Sequence, residues 1–297
     1  MGQNFVYWIM KNSKKCSADL TDKIKVDLHS HTNYSDGFNS PKELIDKAKE
    51  KGIEVLSITD HDNLAAINEA TEYGKRAGVE IIPGVEISSD IMDREIHILG
   101  YFVEPGNSEI ERYLTFFREE RLKRAERIVK KLNLLGISLK LDDVLKIARN
   151  SAVGRPHIAQ ALLEGGFTNS YFEAFNKYIG NDCPAYEKKV HVSPGSAFKI
   201  INDSGGLSFI AHPGILPENI LKDLIDAGVD GIEVIHPSHT SQIVKFYKGI
   251  VSEYFLLEAG GSDYHGGKRE DDNNLGKYFV YLSAVEAMRQ RLMRNSA

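Results

Sequence analysis

From Lys23 the chain alternates short, β-branched apolar runs with longer segments whose apolar residues recur three and four apart. "IKVDLHSH", "EVLSITDHD" and "EIIPGVEIS" read as strands, because short runs rich in Val and Ile between polar turns suit a buried pleated element. "SPKELIDKAKEKG" and "NLAAINEATEYGKRAG", which separate them, read as helices. Ser40 with Pro41 next and Glu43 at the third helical position predicts a helix start, since the serine oxygen can accept from an unpaired amide and proline has no amide to leave unpaired. Gly52 and Gly78 predict helix stops. This is the βαβα rhythm of a parallel sheet or barrel, and a further strand, "EIHILGYF", ends near Phe102.

The rhythm then breaks. From Glu104 to Lys199 the sequence is helical, beginning with "SEIERYLTFFREERLKRAERIVKKLNLLG" and continuing through "PHIAQALLEGG" and "NSYFEAFNKYIG". After Gly205 the first rhythm returns with "GLSFIAHPG", "ENILKDLIDAG", "DGIEVIHPS", "FLLEAGGSDYHG" and "GKYFVYLSA". The organisation expected is an extension over residues 1–22, a barrel built from residues 23–103 and 200–297, and an α-helical insertion over 104–199. The strands number about seven, which suits an α/β barrel closed by the two halves on either side of the insertion.

A hydrophobic fraction of 42% in 297 residues supports a substantial buried core. The formal net charge of −5 argues against broad electrostatic attraction to nucleic acid, so no stable duplex partner is expected and a nucleotide substrate would be small or short. Cys16 and Cys183 are too few and too far apart for a disulfide framework or a thiolate metal site, which points to a reducing compartment and a cytoplasmic protein. The apolar start "FVYWIM" is far too short to span a membrane, and no membrane partner is expected.

The polar residues with chemical potential fall after the apolar runs: His29 and His31, then Asp60 and His61, Glu86, His212, His236, and finally Asp263 and His265. In a parallel barrel the carboxyl ends of the strands open onto one face, so such residues converge there. Residues two apart in an extended chain point to the same side, which lets His29 and His31, or Asp263 and His265, face one ion. A mixed His, Asp and Glu set without cysteine favours a hydrolytic over a structural metal site, and the set is too large for one ion. Several residues also have a plainer reading. His97 lies inside its strand and on its own reads as structural; Asp36 before Gly37 reads as a turn residue; Asp60 is either a cap of the following helix or a carboxylate of the site.

The segments "DLHSHTNYSDG", "ITDHD", "PGVEIS", "HILGY", "IAHPG", "IEVIHPSH" and "GSDYHG" resemble the motifs of the PHP (polymerase and histidinol phosphatase) family, and the match runs from about Lys25 to the last strand. The resemblance implies a metal-dependent phosphoesterase on a distorted seven-stranded (β/α) barrel. The order of the motifs and the insertion carrying "VGRPHIAQALLEGG" resemble the stand-alone branch that acts as nucleoside 3′,5′-bisphosphate phosphatase and, in some members, trims short RNA. By motif, the resemblance implies a first metal on His29, His31, Glu86 and Asp263, with Glu86 bridging to a second ion completed by His97 and His212. A third ion would take Asp36, His61 and His265; many family members have histidine where this chain has Asp36. Two or three divalent ions, Mn²⁺, Fe²⁺ or Zn²⁺, are therefore expected.

The reaction expected is in-line attack on a phosphate monoester by a metal-activated hydroxide. No Gly-x-Ser-x-Gly elbow and no activated cysteine suggests a protein nucleophile. Arg155 in "GRPH" can grip a phosphate through two parallel hydrogen bonds and His157 can add a third, although both could instead stabilise the next helix. His236 and His239 in "IHPSH" could contact substrate or protonate the leaving oxygen, and Asp60 is a further catalytic candidate. Arg118, Arg121, Arg124 and Arg127 recur at helical spacing and read as a solvated face, but an inward Arg118 or Arg121 would favour a polyanionic ligand. The substrate expected is a small phosphorylated nucleotide or short RNA; histidinol phosphatase and a non-catalytic metal-binding module are the alternatives.

Overall fold

The computed structural model describes residues 21–295 apart from 93, 150, 189, 191, 268 and 269. The expected extension over 1–22, with Cys16, therefore lies almost wholly outside the described residues. Eight strands form one nearly closed sheet: β1 (Lys25–Asp27), β2 (Ile53–Ile58), β3 (Glu80–Ile91), β4 (Arg94–Tyr101), β5 (Leu207–Ile210), β6 (Gly231–Ile235), β7 (Leu257–Gly260) and β8 (Val280–Tyr281). Their spatial order is β7-β6-β5-β4-β3-β2-β1-β8. The eight apolar runs read as strands fall on β1 to β8, one more than the count of about seven; β8, within "GKYFVYLSA", is only two residues long and pairs antiparallel to the start of β1.

The ring closes irregularly. Beyond the stretch that β8 occupies, Leu28 N donates to Gly260 O at 3.1 Å and Asp263 N donates to His29 O at 2.9 Å, joining the ends of β1 and β7. Gly261 permits this approach, since a Cβ there would collide with His29 N and Asp27 Oδ1. The sheet is not wholly parallel, as the rhythm implied. β3 turns directly into β4, and β4 runs antiparallel to both β3 and β5. With no helix between β3 and β4, no crossover can return the chain to a parallel register.

Helices α1 (Pro41–Glu50) and α2 (Ile67–Ala77) cover the first crossovers, and the expected start of α1 is present as a capping box: Glu43 N donates to Ser40 Oγ at 3.3 Å while Ser40 N donates to Glu43 Oε2 at 2.8 Å. Gly78 ends α2 in the left-handed conformation at φ 79°. Between β4 and β5 come α3 (Ser108–Leu134), α4 (Leu141–Ala148), α5 (Arg155–Glu164), α6 (Tyr171–Ala174), a π-helical turn (Phe175–Ile179) and α7 (Pro194–Asp203); α8 (Glu218–Asp226), α9 (Ser241–Glu253) and α10 (Leu282–Asn295) cover the rest.

One apolar cluster fills the barrel around Leu28, Val55, Ile82, Tyr101 and Phe209, and a larger one lies between the sheet and its helices. The segment between the two barrel halves has its own core, with Ala125, Ile128, Leu132, Val144, Ile158, Leu162 and Ile179. Helix α3 belongs to both: Ile110 and Leu114 pack on the barrel, whereas Ala125, Ile128 and Leu132 enter the second core. At 27 residues it is about 40 Å long, enough to reach both. Helix α7 packs Ala197, Phe198 and Ile201 into the barrel core, so barrel packing resumes at α7 rather than at residue 200.

Candidate metal centre

Strand ends deliver most of the cluster. β1 leads into His29 and His31, β2 into His61, β5 into His212, and β7 into Asp263 and His265. Glu86 and His97 come from within β3 and β4, where the antiparallel register sets Ser88 opposite His97 and leaves the two side chains adjacent. His29 Nε2 and His31 Nε2 lie 3.2 Å apart. Each is also 3.2 Å from Asp263 Oδ1, and they lie 3.3 and 3.2 Å from Glu86 Oε2. The other Glu86 oxygen meets His97 Nδ1 at 2.7 Å and His212 Nε2 at 3.1 Å. Asp36 joins His61 at 3.8 Å, His265 at 3.5 Å and His31 at 3.8 Å. The backbone is held in the left-handed region at His212, φ 25°, and Asp263, φ 48°, a cost that recurs where side chains must be aimed.

Four overlapping sets have ligand atoms within 4.8 Å of one another: His31, Asp36, His61 and His265; His29, Glu86 and His212; His29, His31 and Asp263; His61, Glu86 and His97. Every residue of the expected ligand set falls in at least one. Imidazole nitrogens converge on shared carboxylate oxygens, and buried His61 Nδ1 has no hydrogen-bond partner, so the donor set fits divalent ions.

The electrostatics show how tightly the groups depend on one another. Burial works to raise the Glu86 carboxyl, but the imidazoles of His61, His97 and His29 hold it well below the usual range. Burial likewise opposes the charged form of His31, yet hydrogen bonds to Asp263 and Glu86 raise it to about 10. His97 is raised to about 9 by Glu86 and Glu95 against the same penalty. At His61 burial prevails, helped by the positive neighbours His31 and His97, and its pKa falls well below the ordinary value.

Glu233 is a member of the site that sequence reading missed. Fully buried inside β6, its Oε1 lies 2.9 Å from His29 Nδ1 and its Oε2 accepts from His212 N at 2.6 Å. It thereby fixes the ring of His29 with Nε2 toward the cluster. A glutamate within the apolar run "GIEVI" was the available signal, because a buried carboxylate requires a partner. His265 is oriented similarly, its Nδ1 lying 2.8 Å from Asp263 O and leaving Nε2 toward Asp36.

Three expected roles are corrected. Asp60 neither caps α2 nor faces the cleft: its fully buried carboxylate accepts from Thr32 N at 2.8 Å, from Thr32 Oγ1 and from Ser35 Oγ, bracing the loop after β1. His239 has both ring nitrogens engaged, with Val234 O at 2.9 Å and Gly214 N at 3.1 Å, so it holds its loop and has no nitrogen left for a leaving group. His157 caps its own helix, Nδ1 accepting from Gly154 N at 3.0 Å, and lines the cleft from there. His236 remains beside the cluster: Nδ1 accepts from Ser238 N at 3.1 Å, which leaves Nε2, 3.3 Å from Asp263 Oδ2 of the cluster, as the proton-bearing nitrogen.

Of the arginines of α3 expected on a solvated face, Arg127 is exposed and pairs with Glu187 at 3.1 Å, whereas the others turn toward the protein. Arg118 donates to Asp62 O at 3.1 Å and props that loop. Arg121 points inward, donating to Asp62 Oδ2 at 2.6 Å and Ser88 Oγ at 2.9 Å. Arg124 is only 5% exposed; burial, with Arg155 and Arg121 nearby, lowers its pKa to about 10, and its NH2 makes no hydrogen bond. Arg155 donates to Asn181 Oδ1 at 3.0 Å and lies 3.8 Å from Glu95. Arg121, Arg124 and Arg155 share a cavity of about 150 Å³ with Asp36, His61 and His97. Sequence reading missed Arg124 as an inward group, although it lies one turn beyond Arg121 on the same helix face.

An imidazole and carboxylate cluster fitted for divalent ions at a barrel mouth, with guanidinium groups lining the same cavity, defines a metal-dependent phosphoesterase. The PHP domain is recognised over residues 27–135. The chain is 33% identical over 247 residues to a 5′-3′ exoribonuclease of Haemophilus influenzae, spanning 81% of this chain and 90% of that protein. It is 31% identical over 247 residues to a 3′,5′-nucleoside bisphosphate phosphatase of Chromobacterium violaceum, spanning 81% of this chain and 87% of that one. Among solved structures, a protein described as a metal-dependent phosphoesterase from Bifidobacterium adolescentis matches with a TM-score of 0.83 at 30% identity, over 90% of this chain and 96% of its own. The chain belongs to the PHP family and is a hydrolase of phosphate esters. No helix among the described residues is long and apolar enough to cross a membrane.

Proposed function

We propose that the enzyme removes the 3′-phosphate of a nucleoside 3′,5′-bisphosphate and, in the same site, trims short 5′-phosphorylated RNA. The observation that carries this reading is the single cavity lined both by members of the cluster, Asp36, His61 and His97, and by Arg121, Arg124 and Arg155, which we take as its two anion-directed walls. A ligand with two phosphates engages both walls; a ligand with one cannot. In this reading His29, His31, Glu86 and Asp263 would hold one ion, Glu86, His97 and His212 a second, and Asp36, His61 and His265 a third, with Mn²⁺, Fe²⁺ or Zn²⁺ the ions such donors accept. Divalent ions, when bound, bring the pKa of a water toward neutrality and neutralise charge on the phosphate.

The protein's own groups supply the rest. A 5′-phosphate relieves the mutual repulsion of the three guanidinium groups, and Arg124 NH2 gains a partner. The ribose then lies between the walls with its 3′-phosphorus at the cluster. The water oxygen bonds to phosphorus as the bond to the 3′ oxygen breaks, and His236 is placed to hold a proton for that oxygen. In RNA the same geometry sets the first phosphodiester at the cluster and releases a 5′-mononucleotide.

The test is phosphate release by the Mn²⁺-loaded enzyme from adenosine 3′,5′-bisphosphate, AMP and histidinol phosphate, with release of AMP from 5′-phosphorylated RNA run alongside. The bisphosphate is expected to show the highest kcat/KM of the three. Equal turnover of AMP or histidinol phosphate would sink the two-wall reading.

A further inference from the structure

The cleft does not end at the cluster. Past Asp36 it opens into a second cavity of about 410 Å³, between the loop after β1 and helices α4 and α5. The two cavities share Ser35, Asp36, Pro156 and His157 as wall residues, so a chain lying across the cluster can continue from one into the other. The volume is in the range that holds a small ligand. Its walls carry what a nucleotide needs: the ring of Phe38, 38% exposed, and the cationic side chains of Lys146 and Arg149. Lys146 makes a surface ion pair to Asp143 at 2.9 Å with its side chain 75% exposed, a weak contact that a phosphate can replace.

A third cavity, of about 420 Å³, also leaves the cluster beside His97 and His212. Its other walls are Ile96, Ile210, Ala211, Pro213 and Leu216, with Arg94 the one cation among its lining residues. Such walls give a phosphodiester backbone few partners.

We propose that the cavity beside Phe38 is a subsite for the nucleotide on the 3′ side of the scissile bond of a single-stranded substrate. The base stacks on Phe38 and the backbone passes Lys146 and Arg149, as aromatic platforms and basic grooves bind single strands without reading sequence. This inference rests on the two-wall reading, since the 5′-phosphate on the arginines sets the direction of the chain. The same protein thus treats a bisphosphate as a substrate with this subsite empty and an oligonucleotide as one with it filled.

The experiment compares KM of the Mn²⁺-loaded enzyme for adenosine 3′,5′-bisphosphate and for a 5′-phosphorylated diadenylate, in wild type, Lys146→Glu and Phe38→Leu. Lys146 is on the exposed surface of a helix, so its substitution leaves the fold in place. Each variant is expected to raise KM for the dinucleotide on the order of tenfold and leave KM for the bisphosphate unchanged. Equal shifts on both substrates, or no shift on either, would overturn the assignment. So would Arg94→Glu weakening the dinucleotide alone, which would route the chain through the apolar cavity. If wild type cleaves the bisphosphate but not the dinucleotide, the subsite fails and the two-wall reading stands; if it cleaves neither, both fail.

Discussion

The barrel mouth and the arginine wall opposite it are assembled in different ways. At the mouth each functional side chain is set by the main chain: strand pairing fixes where β1, β2, β3, β4, β5 and β7 lie, and the pleat fixes which side chains point together. Across the cleft the placement is made by side chains. Arg121 is aimed by Asp62, Arg124 by the Glu187 carbonyl at 2.7 Å, and Arg155 by Asn181. The difference suits the two proposed tasks, because metal ligands tolerate little error in position, whereas a phosphate clamp can adjust its guanidinium groups to the anion. The bridging helix α3 couples the two, one end in the barrel core and the other in the helical core.

The largest test of this contrast removes the carboxylate shared by most of the mouth. Glu86→Gln is expected to lower kcat on the bisphosphate by about three orders of magnitude or more, because several kcal/mol of charge stabilisation would go with the ions it is proposed to hold. Residual turnover within tenfold of wild type would break the claim that the mouth acts as one unit. Next in size, Leu132→Ala opens a cavity in the helical core and should destabilise that unit by about 2 to 5 kcal/mol, read by denaturant unfolding. If metal content at low denaturant falls with it, the mouth depends on the insertion more than its backbone placement implies.

Arg121→Ala tests the wall. Losing a charge-assisted contact should raise KM for the bisphosphate about tenfold to a hundredfold, with kcat little changed. A loss confined to kcat would move Arg121 from the clamp to the reacting phosphate. The smallest effect is on stability against pH in chelator-treated protein. His31 and His97, ordinarily at 6.5, are raised to about 10 and about 9, so their contribution is complete below pH 6.5 and is lost as pH rises through those values. The melting temperature of the metal-free enzyme should therefore fall from pH 6.5 to about 10. His61, shifted the other way, acts only below pH 6.5, where the unfolded chain takes up a proton that the folded chain refuses. A rising melting temperature over the alkaline window would contradict the direction of both shifts.

Much of the mouth was legible in the chain. Period-two spacing after an apolar run is a local property, and it singled out His29, His31, Asp263 and His265; the residues around Ser40 predicted a helix start that the capping box supplies. His97 and Asp36 were not legible locally. One sits within its strand and the other before a turn glycine, and only the family motifs marked them before the antiparallel β3 and β4 pair and the β1 loop placed them at the cluster. The reversal at β4 had no local signal either, since a strand's direction depends on its partner.

What the sequence by itself determined is the alternation of strands and helices, the interruption between the barrel halves, and the kinds of side chain that follow each strand, because these depend on neighbours a few residues apart. Only the tertiary structure decided which polar groups act on one another. Asp60 and His239 have the same chemistry as residues of the cluster, yet they are consumed by loop hydrogen bonds. Glu233 came to support the cluster and Arg124 to line the cleft because burial and long-range partners placed them there. Electrostatic character follows distance in space, and for most of these residues the deciding neighbour lies far away in the chain.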